Sequence, residues 1–362
     1  MALPLKNPKP DAKHLIDVVM GRTPCDRVPL VEYIIDDVHI KEIARRLNQP
    51  FTPAPTTDML APKRCDTRYL DNMIQCWHHL GYDYVRIERN AGFQLAKELA
   101  DDIDTQKERS WVESTTGLIE SWDDFERYPW PSVTDECFAD IEYINDHLPD
   151  GMGLISSHCA GVYEHLSFIM GYETLCIALY ESPDLVQAVT DRIGDIMVDF
   201  YRKLVQFDRL VAVWPGDDMG FKTGTLIRPE QLIQYILPHH KRFAEIAHNA
   251  GLPYFLHSCG NVLSIMDNLI DDVKIDAKHS FEDVIIPIAD FQKRFGDRIG
   301  VLGGVDVDIL TKKSPDDIRA HTRKIIDTCA PRGRFAIGSG NSIPSYVPTD
   351  NYLAMIDEAL KT

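Results

Sequence analysis

In the stretch Leu256–His257–Ser258–Cys259–Gly260–Asn261, residue types and spacing come closest to a reactive centre. Residues two apart at the end of a strand point to the same side, so His257 and Cys259 can aim a ring nitrogen and a sulfur at one point. Imidazole plus thiolate is a pair well suited to zinc, and Gly260 lets the chain turn away sharply. The plainer alternative is a core cysteine beside a hydrogen-bonded histidine, and an H-x-C string alone does not separate the two. Catalytic zinc takes three protein ligands and keeps a fourth position for substrate. Glu282, just after the next apolar run, would complete such a set, although a solvated loop carboxylate reads the same way in sequence. His279 is a second candidate. Ser339 is a poor one, because its hydroxyl would have to ionise.

These residues need a scaffold that brings distant loops together. From about residue 28, short apolar runs alternate with longer amphipathic stretches, the rhythm of repeated βα units. The runs read as strands are Val28–Tyr33, Tyr84–Ile87, Gly153–Ser157, Leu210–Trp214, Pro253–His257, Val273–Ala277, Ile299–Gly303 and Arg334–Gly338. Eight such runs close a barrel, and the expected fold is a (β/α)8 TIM barrel forming one domain over residues 1–362. Residues 1–27 are expected to be a helical extension, a lid or a base. Residues 98–150, with Trp111, Trp122 and the turn Tyr128–Pro129–Trp130–Pro131, are expected as a hairpin and loop inserted after the second strand. Helix signals agree: Pro229 marks a helix start, and Asn249–Ala250–Gly251–Leu252–Pro253 marks a stop leading into a strand.

Polar groups gather at the carboxyl ends of the runs, where barrel enzymes place their active sites. Tyr33, Arg86, Trp214, Asp218 and His279 are expected to line one cavity with the H-x-C pair, Asp218 and His279 in catalytic roles and Tyr33, Arg86 and Trp214 against the substrate. Of two adjacent carboxylates, one is commonly functional and the other caps a helix. Asp218 is taken as the inward one, with Asp217 helping to orient substrate or metal ligands. Trp214 and Phe221 could wall an aromatic pocket, though core packing explains each alone. An open doubly wound sheet would show the same alternation, but no GxGxxG follows a strand, which argues against its dinucleotide-binding form.

Composition narrows the function. With 56 acidic and 38 basic residues the net charge is −18, and no Lys/Arg cluster offers a nucleic-acid surface. No stretch has the 18 or more apolar residues of a membrane span. Met1 to Lys13 lacks the apolar core of a signal peptide, so the expected location is the cytoplasm. The eight cysteines contain no CxxC pair and are too sparse for a disulfide scaffold.

Three stretches carry a family resemblance: Pro215–Gly216–Asp217–Asp218–Met219–Gly220, the His257–Cys259 motif, and Leu302–Gly303–Gly304–Val305–Asp306. Together with Gly338–Ser339–Gly340–Asn341–Ser342–Ile343–Pro344 and Asn351–Tyr352–Leu353, they resemble the uroporphyrinogen decarboxylase superfamily, over roughly residues 15 to 360. That superfamily holds tetrapyrrole decarboxylases and corrinoid-dependent methyltransferases, all on (β/α)8 barrels. The methyltransferases hold zinc through an H-x-C pair, matched by His257 and Cys259, and a distal cysteine, where this chain has Ser339. Distant relatives that methylate homocysteine use a glutamate near the position of Glu282, so the resemblance favours His257, Cys259 and Glu282 as the metal set.

The decarboxylases clamp a polycarboxylate with an arginine-rich segment after the first strand. Here that segment, Glu32–Tyr33–Ile34–Ile35–Asp36–Asp37, is acidic and would repel such a substrate. The resemblance therefore implies a zinc-dependent methyltransferase acting between a small molecule, such as a methoxylated aromatic, and cobalamin. A corrinoid carrier needs a D-x-H-x-x-G loop. Asp37–Val38–His39–Ile40–Lys41–Glu42 lacks the glycine, so the corrinoid is expected on a separate protein. A homodimer is compatible with this reading. Its alternatives are a metal-independent decarboxylase of a smaller carboxylated substrate, and a binding barrel that lost catalysis with the distal cysteine.

Overall fold

A computed structural model describes residues 3–55, 65–95, 97–101, 108–112 and 117–362. Its strands are β1 (Tyr84–Arg89), β2 (Lys97–Asp101), β3 (Glu108–Val112), β4 (Gly153–His158), β5 (Leu210–Val213), β6 (Phe255–His257), β7 (Ala277–His279), β8 (Gly300–Leu302) and β9 (Phe335–Ala336). Two parallel ladders run in the orders β1-β4-β5 and β6-β7-β8-β9, and β2 pairs antiparallel with β3. The bridges Val213–Tyr254 and Gly216–His257 join the two ladders. Among the described residues, no helix is long and apolar enough to cross a membrane.

Two expected strands differ from what is observed. Val28–Tyr33 forms no ladder but meets the end of β9 in a single parallel bridge, Leu30–Ile337. Pro29 lacks an N–H and serves only as an acceptor, from Ile337 N at 2.9 Å. The segment meets β1 through a side chain: Tyr84 Oη accepts from Glu32 N at 2.7 Å and donates to Glu32 O at 2.6 Å. The sixth run was expected at Val273–Ala277, but Leu269–Val273 is a π-helical turn. Lys274 stops it in the left-handed region at φ 66°, and the strand begins only at Ala277. The apolar side chains Val273 and Ile275 are buried in either arrangement, which is why the pattern suggested a strand.

Helix Ala12–Val19 is a base rather than a lid. Its N-cap, Asp11, accepts from His14 N at 2.9 Å. Ala12 N donates to Gly151 O, just before β4, and Val19 packs against Gly300, the first residue of β8. These are the amino ends of the strands, opposite the reactive ends. The helix starting at Pro229 runs to Asn249 with a π-helical stretch at Leu232–Ile236. Pro238 comes two residues after it and, with no N–H to give, interrupts the regular pattern. Gly251, at φ 77°, ends the element as expected.

Candidate active site

The strand ends converge on a cavity of about 360 Å³ whose lining includes Tyr33, Glu88, Glu164, Asp218, His257 and Cys259. His257 closes β6, and Cys259 follows on the turn. Cys259 Sγ lies 3.3 Å from His257 Nε2, and Asp218 Oδ1 lies 3.6 Å from the same nitrogen. Asp218 is held there by its own bond, accepting from Cys259 N at 2.8 Å. Among the described residues, Asp218, His257 and Cys259 form the group whose ligand atoms all fall within 4.8 Å of one another.

Two glycines clamp the loops that carry Asp218 and Cys259. Gly260 has φ 76°, and a Cβ on it would strike the Gly220 carbonyl; a Cβ on Gly220 would strike Cys259 O and Asn261 N. The backbones touch directly, sealed by Asn261 N donating to Phe221 O at 2.7 Å. Met219 N donates to Ser258 Oγ at 3.2 Å, a second tie between the same loops.

Behind these three residues stands a layer of buried rings. The Tyr33 ring stacks on His257 with centroids 4.0 Å apart, and the Arg86 guanidinium lies 3.4 Å from the Tyr33 ring centre. Arg86 is occupied by Tyr33 O, Trp214 O and Glu88 at 3.0, 3.0 and 2.6 Å. His257 Nδ1 meets His279 Nδ1 at 2.7 Å, and His279 Nε2 donates to Ser339 O at 3.2 Å. Ser339 turns its hydroxyl away from the metal-ligand group, donating to Glu32 Oε1 at 2.6 Å.

Electrostatics follow enclosure. Burial holds His257 well below the ordinary imidazole range and pushes His279 down to about 3, a shift that disfavours the charged form of each ring. Burial, then the charge of Asp218, pushes the Cys259 thiol up. Burial, then Asp218 and Asp217, raises the Glu164 carboxyl well above its usual value. Asp218 keeps 40% of its side chain exposed, yet the surrounding protein encloses its carboxyl enough to raise it too. Lys278 is buried among Phe281, Phe291 and Ser280 O, and that burial lowers it to about 8.

Of the residues singled out in the sequence, Tyr33, Asp218, His257 and Cys259 line the cavity. Arg86, Trp214 and His279 are buried one layer behind. Asp217 is fully buried and fully engaged: it accepts from Tyr163 N and Glu164 N, at the start of helix Val162–Met170, and from His240 Nε2 at 2.7 Å. It caps a helix and is not part of the cavity lining. Phe221 is 60% exposed and does not line the cavity. Glu282 lines a separate cleft with Gly260, Val262 and Lys278, and the structure does not bring it into the metal-ligand group.

Sequence reasoning missed Glu88, Glu164, Cys159 and Asn341. Glu88 lies two residues beyond Arg86 on β1, so strand alternation alone points it the same way. Glu164 sits in the first turn of the helix after β4, where Gly161 N donates to it at 3.1 Å. Asn341 donates from Nδ2 to Cys259 Sγ at 3.1 Å, a contact with no local signal.

The fold and the site define a class: parallel α/β proteins with a polar cavity at the strand carboxyl ends. Residues 71–361 match the family model for uroporphyrinogen decarboxylase (URO-D), and the chain belongs to that family. Among curated proteins none matches the sequence. Among solved structures, a methyltransferase from Methanosarcina mazei is similar with a TM-score of 0.69 at 15% identity, covering 97% of this chain and 98% of that one. A protein from Listeria monocytogenes, described as a vitamin-B12-independent methionine synthase, reaches a TM-score of 0.48 at 12% identity, over 94% and 97% of the two chains.

Proposed function

We propose that the chain is a zinc-dependent methyltransferase on a single closed barrel, moving a methyl group between a small substrate in the cavity and a corrinoid carried by a separate protein. The observation behind this reading is the Asp218–His257–Cys259 group in the cavity wall. Nitrogen, oxygen and sulfur are the donor types zinc takes, and these three lie within 4.8 Å of one another, the nitrogen 3.3 Å from the sulfur and 3.6 Å from the oxygen. Asp218 takes the third place that Ser339 does not fill and Glu282 does not reach. Zinc held there would supply Lewis-acid charge to the substrate heteroatom.

The chain's own groups do the rest. Tyr33 packs flat on His257 and fixes its plane, while Asn341 and Ser280 donate to Cys259 Sγ and orient the sulfur. Glu164, whose carboxyl is raised well above its usual range by burial and then by two aspartates, lines the cavity and is the group that would give a proton to the heteroatom that the methyl group leaves.

A decarboxylase would need a cation for the substrate carboxylate. The described cavity lining contains no lysine or arginine, and the bonds of Arg86 go to Glu88 and two carbonyls. This favours methyl transfer over decarboxylation.

Elemental analysis tests the reading: about one zinc per chain is expected in the wild type and none in Cys259→Ala. The wild type should also methylate cob(I)alamin from a methoxylated aromatic, and the variant should not. Active wild-type protein without zinc would overturn the reading.

A further inference from the structure

The contact between His257 and His279 joins two Nδ1 atoms at 2.7 Å, so one ring must present a proton there and the other a lone pair. The far side of His279 decides which. Its Nε2 faces the main-chain carbonyl of Ser339 at 3.2 Å, and a carbonyl only accepts, so Nε2 carries the hydrogen. Both rings are buried, and among the described residues no carboxylate bonds to either nitrogen of His279. The His279 ring is therefore neutral and its Nδ1 bare. The proton between the rings then belongs to His257 Nδ1, which leaves the lone pair of His257 on Nε2, the nitrogen 3.3 Å from Cys259 Sγ and 3.6 Å from Asp218 Oδ1.

We propose that His279 is a positioning residue that fixes the tautomer of His257, with the Ser339 carbonyl as its anchor and Glu32 holding that anchor in place. Glu32 accepts from Ser339 Oγ at 2.6 Å and from Ser339 N at 3.3 Å, and from Tyr33 N at 3.1 Å. The Glu32 carboxyl group thus grips both the residue that presents the carbonyl and the residue whose ring stacks on His257. This gives Ser339 a role that its failure to reach the metal-ligand group leaves open. Its carbonyl sets which nitrogen of His257 is available, and its hydroxyl secures the carbonyl. A histidine ligand is commonly oriented by what its other nitrogen bonds; here a second histidine fills that place.

The consequence for metal affinity rests on the function proposed above, but the tautomer does not, and the two are tested separately. Two-bond ¹H–¹⁵N correlation spectra of ¹⁵N-histidine-labelled, metal-stripped protein read the tautomers directly, with His257 and His279 assigned by their loss in single variants. The expected result is a proton on Nδ1 of His257 and on Nε2 of His279. In His279→Leu the acceptor is gone, so His257 should populate the other tautomer and Zn²⁺ affinity, measured by chelator competition, should fall about 10–100-fold. In His279→Asn the amide oxygen takes the place of the bare nitrogen, and both properties should be largely restored. A wild-type His257 protonated on Nε2 overturns the proposal, as does a His279→Leu protein whose His257 tautomer is unchanged. Correct tautomers in a protein that binds no zinc would uphold this inference and overturn the zinc reading.

Discussion

Replacing Glu32 with glutamine should remove a pH dependence of stability that the wild type carries. The Glu32 carboxyl is fully buried, and that burial lifts it from 4.5 to about 8 even though Ser339 and Tyr33 donate to it. Between those two values the folded state binds more protons than the unfolded state, so stability falls as pH rises through the window and levels off above it. At 1.36 kcal/mol per unit, the loss between about pH 5 and pH 8 is roughly 3.5 kcal/mol. Glutamine keeps the shape and one acceptor but has no charge to bury. Urea unfolding of wild type and Glu32→Gln at both pH values isolates the effect, because every other titrating group cancels in the double difference. The variant should gain roughly 3 kcal/mol relative to the wild type on going from the lower pH to the higher. Parallel stability profiles for the two proteins would refute the reasoning, since they would mean that Glu32 is ionised in the folded state at little cost.

Two further outcomes follow from the site. Asp218→Asn should weaken zinc binding by more than roughly 100-fold in a chelator competition, while Glu282→Gln should hold zinc like the wild type; the reverse order would restore Glu282 as the ligand. Asp217→Ala removes a helix cap and leaves His240 Nε2 and two backbone N–H groups without their acceptor, so thermal unfolding should show a loss of roughly 2–4 kcal/mol. A neutral result there would mean that water satisfies those groups.

The H-x-C pair was legible because strand alternation is a local rule: two residues at one strand end share a side whatever surrounds them. The adjacent pair Asp217–Asp218 was legible in part. That the two would divide their labour follows from neighbours pointing apart, and the structure shows Asp217 capping, although the helix it caps is Val162–Met170, far away in sequence. Glu282 was chosen on spacing relative to similar proteins, and spacing does not say which way a loop turns after its strand. The chain after β7 carries Glu282 into the cleft with Val262 and Lys278. Glu164 and Asn341 reach the cavity from a helix and a distant loop, and no periodicity marks such arrivals. Seven of the eight expected strands appear, six of them near their expected places. The remaining run, Val28–Tyr33, has the apolar pattern but contains a proline that cannot donate to a ladder.

The backbone contact between Gly220 and Gly260 also shapes how this protein can change. The loops it locks carry Asp218 on one side and Cys259 on the other, so any larger side chain at either glycine would displace both together. That part of the cavity is heritable only as a unit. Ile34 and Phe168 also line the cavity, and their apolar side chains have no polar group to tie them to that lock or to the Asp218–His257–Cys259 group. Substitutions at those two positions are the cheap evolutionary moves: they can reshape what fits inside while the polar group stays in place. A lineage acquiring new substrates on this scaffold should therefore vary at Ile34 and Phe168 and stay fixed at the two glycines.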